Sequence, residues 1–187
     1  MAHTSVLDTK LTQHFGLLDA DGDGQFSRDD LLSLADRLGL AFAADPAKVA
    51  RLRGAYADLW DSYMQAMDSD GNGALDREEY RTGVRRAATD DPQGFAGRVS
   101  EMVEAWMSIC DTDNDGVVTL AEFTTMYTQP LGIDAADITK AFQHLDVDGD
   151  GTLSRDEIRR AAEEFYTSDD PQARGNWLFG PLELKHA

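Results

Sequence analysis

Asp111-Thr-Asp-Asn-Asp-Gly-Val-Val-Thr-Leu-Ala-Glu122 places carboxylates at its first, third and fifth positions, glycine at the sixth, a hydroxyl at the ninth and glutamate at the twelfth. That order suits Ca²⁺, a hard cation that takes roughly six to eight oxygen ligands. A turning backbone brings alternate side chains inward, so Asp111, Asp113 and Asp115 each offer an oxygen. Val117 offers its backbone carbonyl and Thr119 a ligand directly or through water, while Glu122 is long enough to close the site with both oxygens. Gly116 permits the sharp turn, where a side chain would be strained.

The pattern occurs four times, beginning at Asp19, Asp68, Asp111 and Asp146, which makes chance in an acidic chain a poor explanation. It is the ligand order of an EF-hand calcium loop. Loop 2 supplies Asp68, Asp70, Asn72, the Ala74 carbonyl, Asp76 and Glu79 around Gly73. Loop 4 supplies Asp146, Asp148, Asp150, the Thr152 carbonyl, Ser154 and Glu157 around Gly151. Loop 1 supplies Asp19, Asp21, Asp23, the Gln25 carbonyl and Ser27 around Gly24, but ends in Asp30. Aspartate is one methylene shorter than glutamate, so bidentate closure around the large Ca²⁺ sphere is harder. The near-octahedral shell of Mg²⁺ is better served. Loop 1 is therefore expected to bind Ca²⁺ more weakly than the others, or to hold Mg²⁺ at rest.

Asp and Glu outnumber Lys and Arg by 35 to 17, a formal charge of −18. Each loop uses four of those acids, and four bound Ca²⁺ would bring the charge to −10. Such a surface disfavours nucleic acid and anionic membranes. The carboxylates are committed to loops that surround an ion, and no Ser–His or Cys–His constellation is legible, so no enzyme is expected. Met1 to Phe15 lacks a continuous apolar core, so neither a signal peptide nor a membrane span is expected and the cytoplasm is the expected location. The single cysteine, Cys110, excludes an internal disulfide framework. It stands just before the first ligand of loop 3, where the other units have Leu18, Met67 and Leu145, and is read as core.

Amphipathic helices flank every loop, predicting an all-α fold of two EF-hand pairs in one globule. The first pair spans residues 1–90, with loops 19–30 and 68–79. The second spans 91–168, with loops 111–122 and 146–157, and residues 169–187 form an apolar tail expected to fill the space between the pairs. Loop position 8 is Phe26, Leu75, Val118 and Leu153, always apolar, as a short antiparallel β link between paired loops requires. The residue after each loop is Leu31, Tyr80, Phe123 and Ile158. The first exiting helix is expected to stop near Gly39, and Asp45-Pro46 to start a long helix through Trp60, Met64 and Met67 into loop 2. Pro130 and Gly132 are read as interrupting the helix after loop 3, and Asp170-Pro171 as starting a short one. Thr89-Asp-Asp-Pro-Gln93 recurs as Ser168-Asp-Asp-Pro-Gln172, so a whole two-loop half looks duplicated.

Four loops over nearly the whole chain, uneven spacing in the first half, and the tail Gly175-Asn-Trp-Leu-Phe-Gly-Pro181 resemble the sarcoplasmic calcium-binding protein, calexcitin and calerythrin group. The resemblance implies two EF-hand pairs packed face to face and a soluble calcium buffer or transporter. Metal-free, the loops' carboxylates repel one another, so binding and folding are expected to be coupled. The alternative is a sensor that opens on Ca²⁺ and grips a target helix through Met64, Met67, Met102, Met107 and Met126. Calcium is the expected partner, Mg²⁺ a secondary one, and a monomer the expected state. The light-emitting photoproteins share the architecture but look for a histidine four residues before the tail tryptophan. Ala173 stands there, and His3, His14, His144 and His186 show no such grouping in the sequence.

Overall fold

The computed structural model describes residues 5–182, so His3, His186 and the end of the tail from 183 onward lie outside the described residues. Loop 1 lies between α1 (Val6–Leu18) and α2 (Arg28–Ala41). Loop 2 is entered from α3 (Pro46–Ser62) through a 3₁₀ turn (Met64–Met67) and left by α4 (Arg77–Asp90). Loop 3 joins α5 (Pro92–Cys110) to α6 (Leu120–Leu131), and loop 4 joins α7 (Ala135–Leu145) to α8 (Arg155–Thr167). A second 3₁₀ turn (Arg174–Trp177) begins the tail.

The loops pair as their apolar eighth positions require. β1 (Phe26–Ser27) runs antiparallel to β2 (Ala74–Leu75) with Phe26 opposite Leu75. β3 (Val117–Thr119) runs antiparallel to β4 (Thr152–Ser154) with Val118 opposite Leu153. All four of these side chains are buried, as are Leu31, Tyr80, Phe123 and Ile158 one step beyond each loop. They belong to a single cluster that continues through Leu11 and Phe15 of α1 into Ile138 and Phe142 of α7 and Phe165 of α8. One apolar core therefore serves both pairs.

Four local expectations need correction. The helix through Trp60, Met64 and Met67 is not continuous: α3 ends at Ser62, Tyr63 leaves the helical region at φ −138° and ψ −56°, and a 3₁₀ turn follows. Three residues per turn put Met64 and Met67 on one side, Met64 in the core and Met67 against Gly83. Tyr63 is freed to lie under the Arg98 guanidinium, 4.2 Å from the ring centre. Gly39 does not stop α2, which runs to Ala41. It is a close-approach site, since a Cβ there would fall 2.5 Å from Val49 Cγ2 of α3. Of the two residues expected to interrupt the helix after loop 3, Gly132 does end α6, in the left-handed conformation at φ 70°, whereas Pro130 sits inside its last turn. Asp170-Pro171 starts no α-helix, and the chain passes through a turn into the 3₁₀ segment.

The tail goes inward. Leu178 and Phe179 are buried, with Phe179 against His14, Trp106, Tyr127 and Phe165 from four different helices. Trp177 stacks on His144 at 3.9 Å, and the Gly175 N–H donates to Glu164 Oε2 at 2.9 Å. A Cβ on Gly175 would fall 2.4 Å from the Ala161 carbonyl oxygen, so only glycine lets the tail lie this close to α8. Cys110 is buried in the core, and burial pushes its thiol pKa well up, as for a small apolar side chain.

Candidate metal centres

Each loop winds around its first aspartate. Asp19, Asp68 and Asp146 accept from the N–H of position 4 through one oxygen (3.0, 2.7 and 2.8 Å). Through the other they accept from the glycine N–H of position 6 (3.0, 2.9 and 3.0 Å). Asp111 accepts instead from Asp115 N–H at 3.1 Å and Gly116 N–H at 3.0 Å. The position-6 glycines have φ between 84° and 90°, the left-handed region where a Cβ is penalised. Position 4 also turns left-handed, at Gly22, Gly71 and Gly149 with φ 74° and at Asn114 with φ 60°. The signal for this second turn in the sequence is three glycines at one register, Gly22, Gly71 and Gly149.

The ninth and twelfth positions have a second duty. Ser27, Asp76, Thr119 and Ser154 are the N-caps of α2, α4, α6 and α8, and with Asp30, Glu79, Glu122 and Glu157 they form four capping boxes. The twelfth carboxylate thus starts the exiting helix and also reaches back across the loop. Glu79, Glu122 and Glu157 accept from the position-2 N–H at 2.9, 2.8 and 2.8 Å. Asp30 makes the same reach at 3.3 Å.

These residues fit a hard divalent cation. Carboxylate oxygens come within 4.8 Å of one another in each loop: Asp68, Asp70 and Glu79; Asp111, Asp113 and Glu122; Asp146, Asp148 and Glu157. In loop 1 the group is Asp19, Asp21 and Asp23, without Asp30. Among the described residues no carboxylate at a ligand position forms an ion pair, although other acids such as Asp8, Asp61 and Glu104 do. The charge therefore faces only the loop centre. Backbone amides keep it ionised: the Gly73 N–H lowers the Asp68 pKa and the Asp76 N–H that of Glu79. Burial works against ionisation at Glu122 and Glu157, but the Thr119 and Ser154 N–H groups and neighbouring donors outweigh it, and both pKa values are lowered.

Residues 62–128 match the EF-hand domain pair and residues 137–166 the EF-hand domain. Calerythrin of Saccharopolyspora erythraea is 28% identical over 166 residues, covering 87% of this chain and 93% of that protein. A solved calcium-binding protein of Streptomyces coelicolor, described in terms of prokaryotic calcium-mediated regulation, superposes with a TM-score of 0.74. It is 29% identical and the match covers 86% of this chain and 98% of that one. The chain belongs to the EF-hand proteins and is similar to the calerythrin-like group with four such loops. It is a calcium-binding protein, as the four loops and these relatives together show. Obelin of Obelia geniculata is also similar, 29% identical over 173 residues, covering 89% of this chain and 85% of obelin. The photoprotein clytin superposes with a TM-score of 0.75 at 25% identity, over 95% of this chain and 94% of that one.

That likeness bears on the histidines. His14 is not isolated: its Nδ1 shares a 2.6 Å hydrogen bond with the Tyr80 hydroxyl, and the rings of Phe165, Tyr166 and Phe179 surround it. These partners lie 66 to 165 residues away along the chain, so the grouping is not legible in the sequence. Ala173 still stands four residues before Trp177.

Proposed function

We propose that this chain is a cytoplasmic calcium buffer that takes up Ca²⁺ in loops 2, 3 and 4 and holds Mg²⁺, or Ca²⁺ more weakly, in loop 1. The ligands are those that the loop pattern marks: side chains at positions 1, 3, 5, 9 and 12, and the carbonyls of Gln25, Ala74, Val117 and Thr152. No catalysis is assigned, because the carboxylates converge on the loop centres. The chain acts as a monomer built from pairs 1–90 and 91–168, with 169–187 as the packed tail.

The observation that carries the buffer reading is where the apolar side chains are. A sensor must have a groove to open, and here Phe179 and Leu178 fill the centre. Met64, Met107 and Met126 are buried, and Met67 and Met102 pack against the same core. Among the described residues the exposed large apolar side chains are Leu40, Leu120 and Val147, scattered over different parts of the fold. The test is a Ca²⁺ titration in millimolar Mg²⁺ with a fluorescent probe of apolar surface. A flat or falling signal is expected. A rising one turns the reading to a regulator, the alternative that the Streptomyces relative favours. In that case truncation after Asp169 should leave a folded protein that gains affinity for an amphipathic target helix.

A further inference from the structure

Two basic residues of the first unit each finish a helix of the second pair. Lys10, on the helix entering loop 1, is fully buried at 0% exposure, and its Nζ donates to the carbonyls of Glu164 at 2.9 Å and Ser168 at 2.7 Å. Those carbonyls close the C-terminus of α8, the helix leaving loop 4. Arg37, on the helix leaving loop 1, donates from a terminal nitrogen to the Pro130 carbonyl at 2.6 Å. That carbonyl belongs to the last turn of α6, the helix leaving loop 3.

Neither α6 nor α8 has a basic residue of its own in its last turn. A cation there satisfies orphan carbonyls and complements the negative end of the helix dipole. The service is reciprocal on one side: Asp169, just past α8, accepts from the Leu7 N–H in the first turn of α1 at 2.9 Å. Helices α1 and α2 are the two arms of loop 1, so both arms are fastened to the far ends of helices that carry Glu122 and Glu157 in their first turns. A helix rises only about 1.5 Å per residue, and its hydrogen-bonded turns tie one end to the other. A shift of its N-terminal glutamate is therefore delivered to the carbonyl at its other end.

We infer that Lys10 and Arg37 are positioning residues through which metal occupancy of loops 3 and 4 sets the affinity of loop 1. The inference rests on the reading that loop 1 binds a divalent cation. Loop 1 is the loop able to be governed in this way. Asp30 reaches across it weakly, at 3.3 Å, so the angle between its arms is held less by its own twelfth ligand and more by the two clamps. Arg37 has a further link to loop 1: it lines a cleft of about 680 Å³ together with Asp21, Asp23, Asp29 and Asp30, and its other two guanidinium nitrogens are buried with no hydrogen-bond partner among the described residues. Filling loops 3 and 4 fixes the ends of α6 and α8, holds the arms in one geometry, and raises loop 1 affinity.

The test is a double cycle read by ¹⁵N NMR on the full chain. The position-6 amide of Gly24 reports loop 1, and those of Gly116 and Gly151 report loops 3 and 4. Mg²⁺ and Ca²⁺ affinities of loop 1 are measured with loops 3 and 4 intact and with both disabled by Asp111→Ala and Asp146→Ala. Reciprocal linkage of about tenfold is expected, within the usual range for coupled sites. In Lys10→Met/Arg37→Met it should fall to about twofold or less, while the Lys10→Arg/Arg37→Lys variant restores it. A loss of stability alone would not move that ratio. An unchanged ratio in the Met variant, or a ratio near one in the unmodified chain, overturns the coupling while leaving loop 1 a metal site. A Gly24 signal that no divalent cation shifts overturns loop 1 as a site and the coupling with it.

Discussion

Loop 1 and loop 4 differ little in outline and much in closure. Both wind around a first aspartate that accepts two backbone N–H bonds, and both turn at left-handed glycines in positions 4 and 6. In loop 4, Glu157 spans the loop to the Val147 N–H at 2.8 Å and joins Asp146 and Asp148 in one oxygen cluster. In loop 1, Asp30 keeps the capping-box half of the job, accepting from the Ser27 N–H at 2.8 Å, but its reach to Ala20 N–H lengthens to 3.3 Å and it drops out of the cluster. One methylene thus leaves helix initiation intact and weakens loop closure. The twelfth residue has two tasks with different length requirements, and loop 1 keeps only the shorter.

The comparison breaks most directly at Glu157→Gln. Removing the closing charge should weaken Ca²⁺ binding at loop 4 by about a hundredfold, since ligand charge count sets EF-hand affinity. Calorimetric titration should then show one site fewer at micromolar Ca²⁺. If loop 4 still fills normally, closure is not what separates it from loop 1.

Acid should also separate the two halves. His14 of α1 and Trp106 of α5 each stand five residues before the first loop of their pair, and both touch Phe179. Only His14 titrates. Burial pushes its pKa down to about 3 from an ordinary 6.5, so the unfolded chain takes up the proton first. Stability should fall as pH drops from 6.5 toward 3, on the order of 1 kcal/mol per pH unit from this group. Urea unfolding of the metal-free protein across that window should show the slope, and His14→Phe should lessen it by that amount, leaving the part due to carboxylates.

Exchanging the closures should exchange the loops. Asp30→Glu is expected to raise Ca²⁺ affinity at loop 1 about tenfold and lower its Mg²⁺ preference, with Glu157→Asp doing the reverse at loop 4. Competition titrations that leave both loops unchanged would show that the backbone, not the side chain, sets closure. The smallest effect concerns loop 3, which has Asn114 at φ 60° where loops 1, 2 and 4 have glycine. Asn114→Gly relieves that strain but loosens the unfolded chain, so a stability change within about 1 kcal/mol is expected in thermal unfolding.

The metal loops were legible because each is a local object. Its turns, capping box and carboxylates lie within twelve residues, and alternation along a tight turn converts spacing directly into geometry. Flanking helices and the eighth-position β links followed from the same register, because an apolar residue at a fixed loop position has one buried place to go. Asp30 stood out for the same reason: a shorter side chain at a defined position is a statement about distance.

What tertiary structure alone decided is everything carried by contacts between distant residues. The break at Tyr63 sets its ring under Arg98 of the next unit, and Gly39 meets Val49 across a helix turn-around. Lys10 reads in sequence as an ordinary exposed lysine on a helix. Its burial and its clamp on α8 are created by chain 154 and 158 residues away. An isolated twelve-residue loop can specify where an ion's oxygens stand. The sharing of helix ends, core and tail between the two pairs depends on how whole helices settle against one another, and no local pattern encodes that.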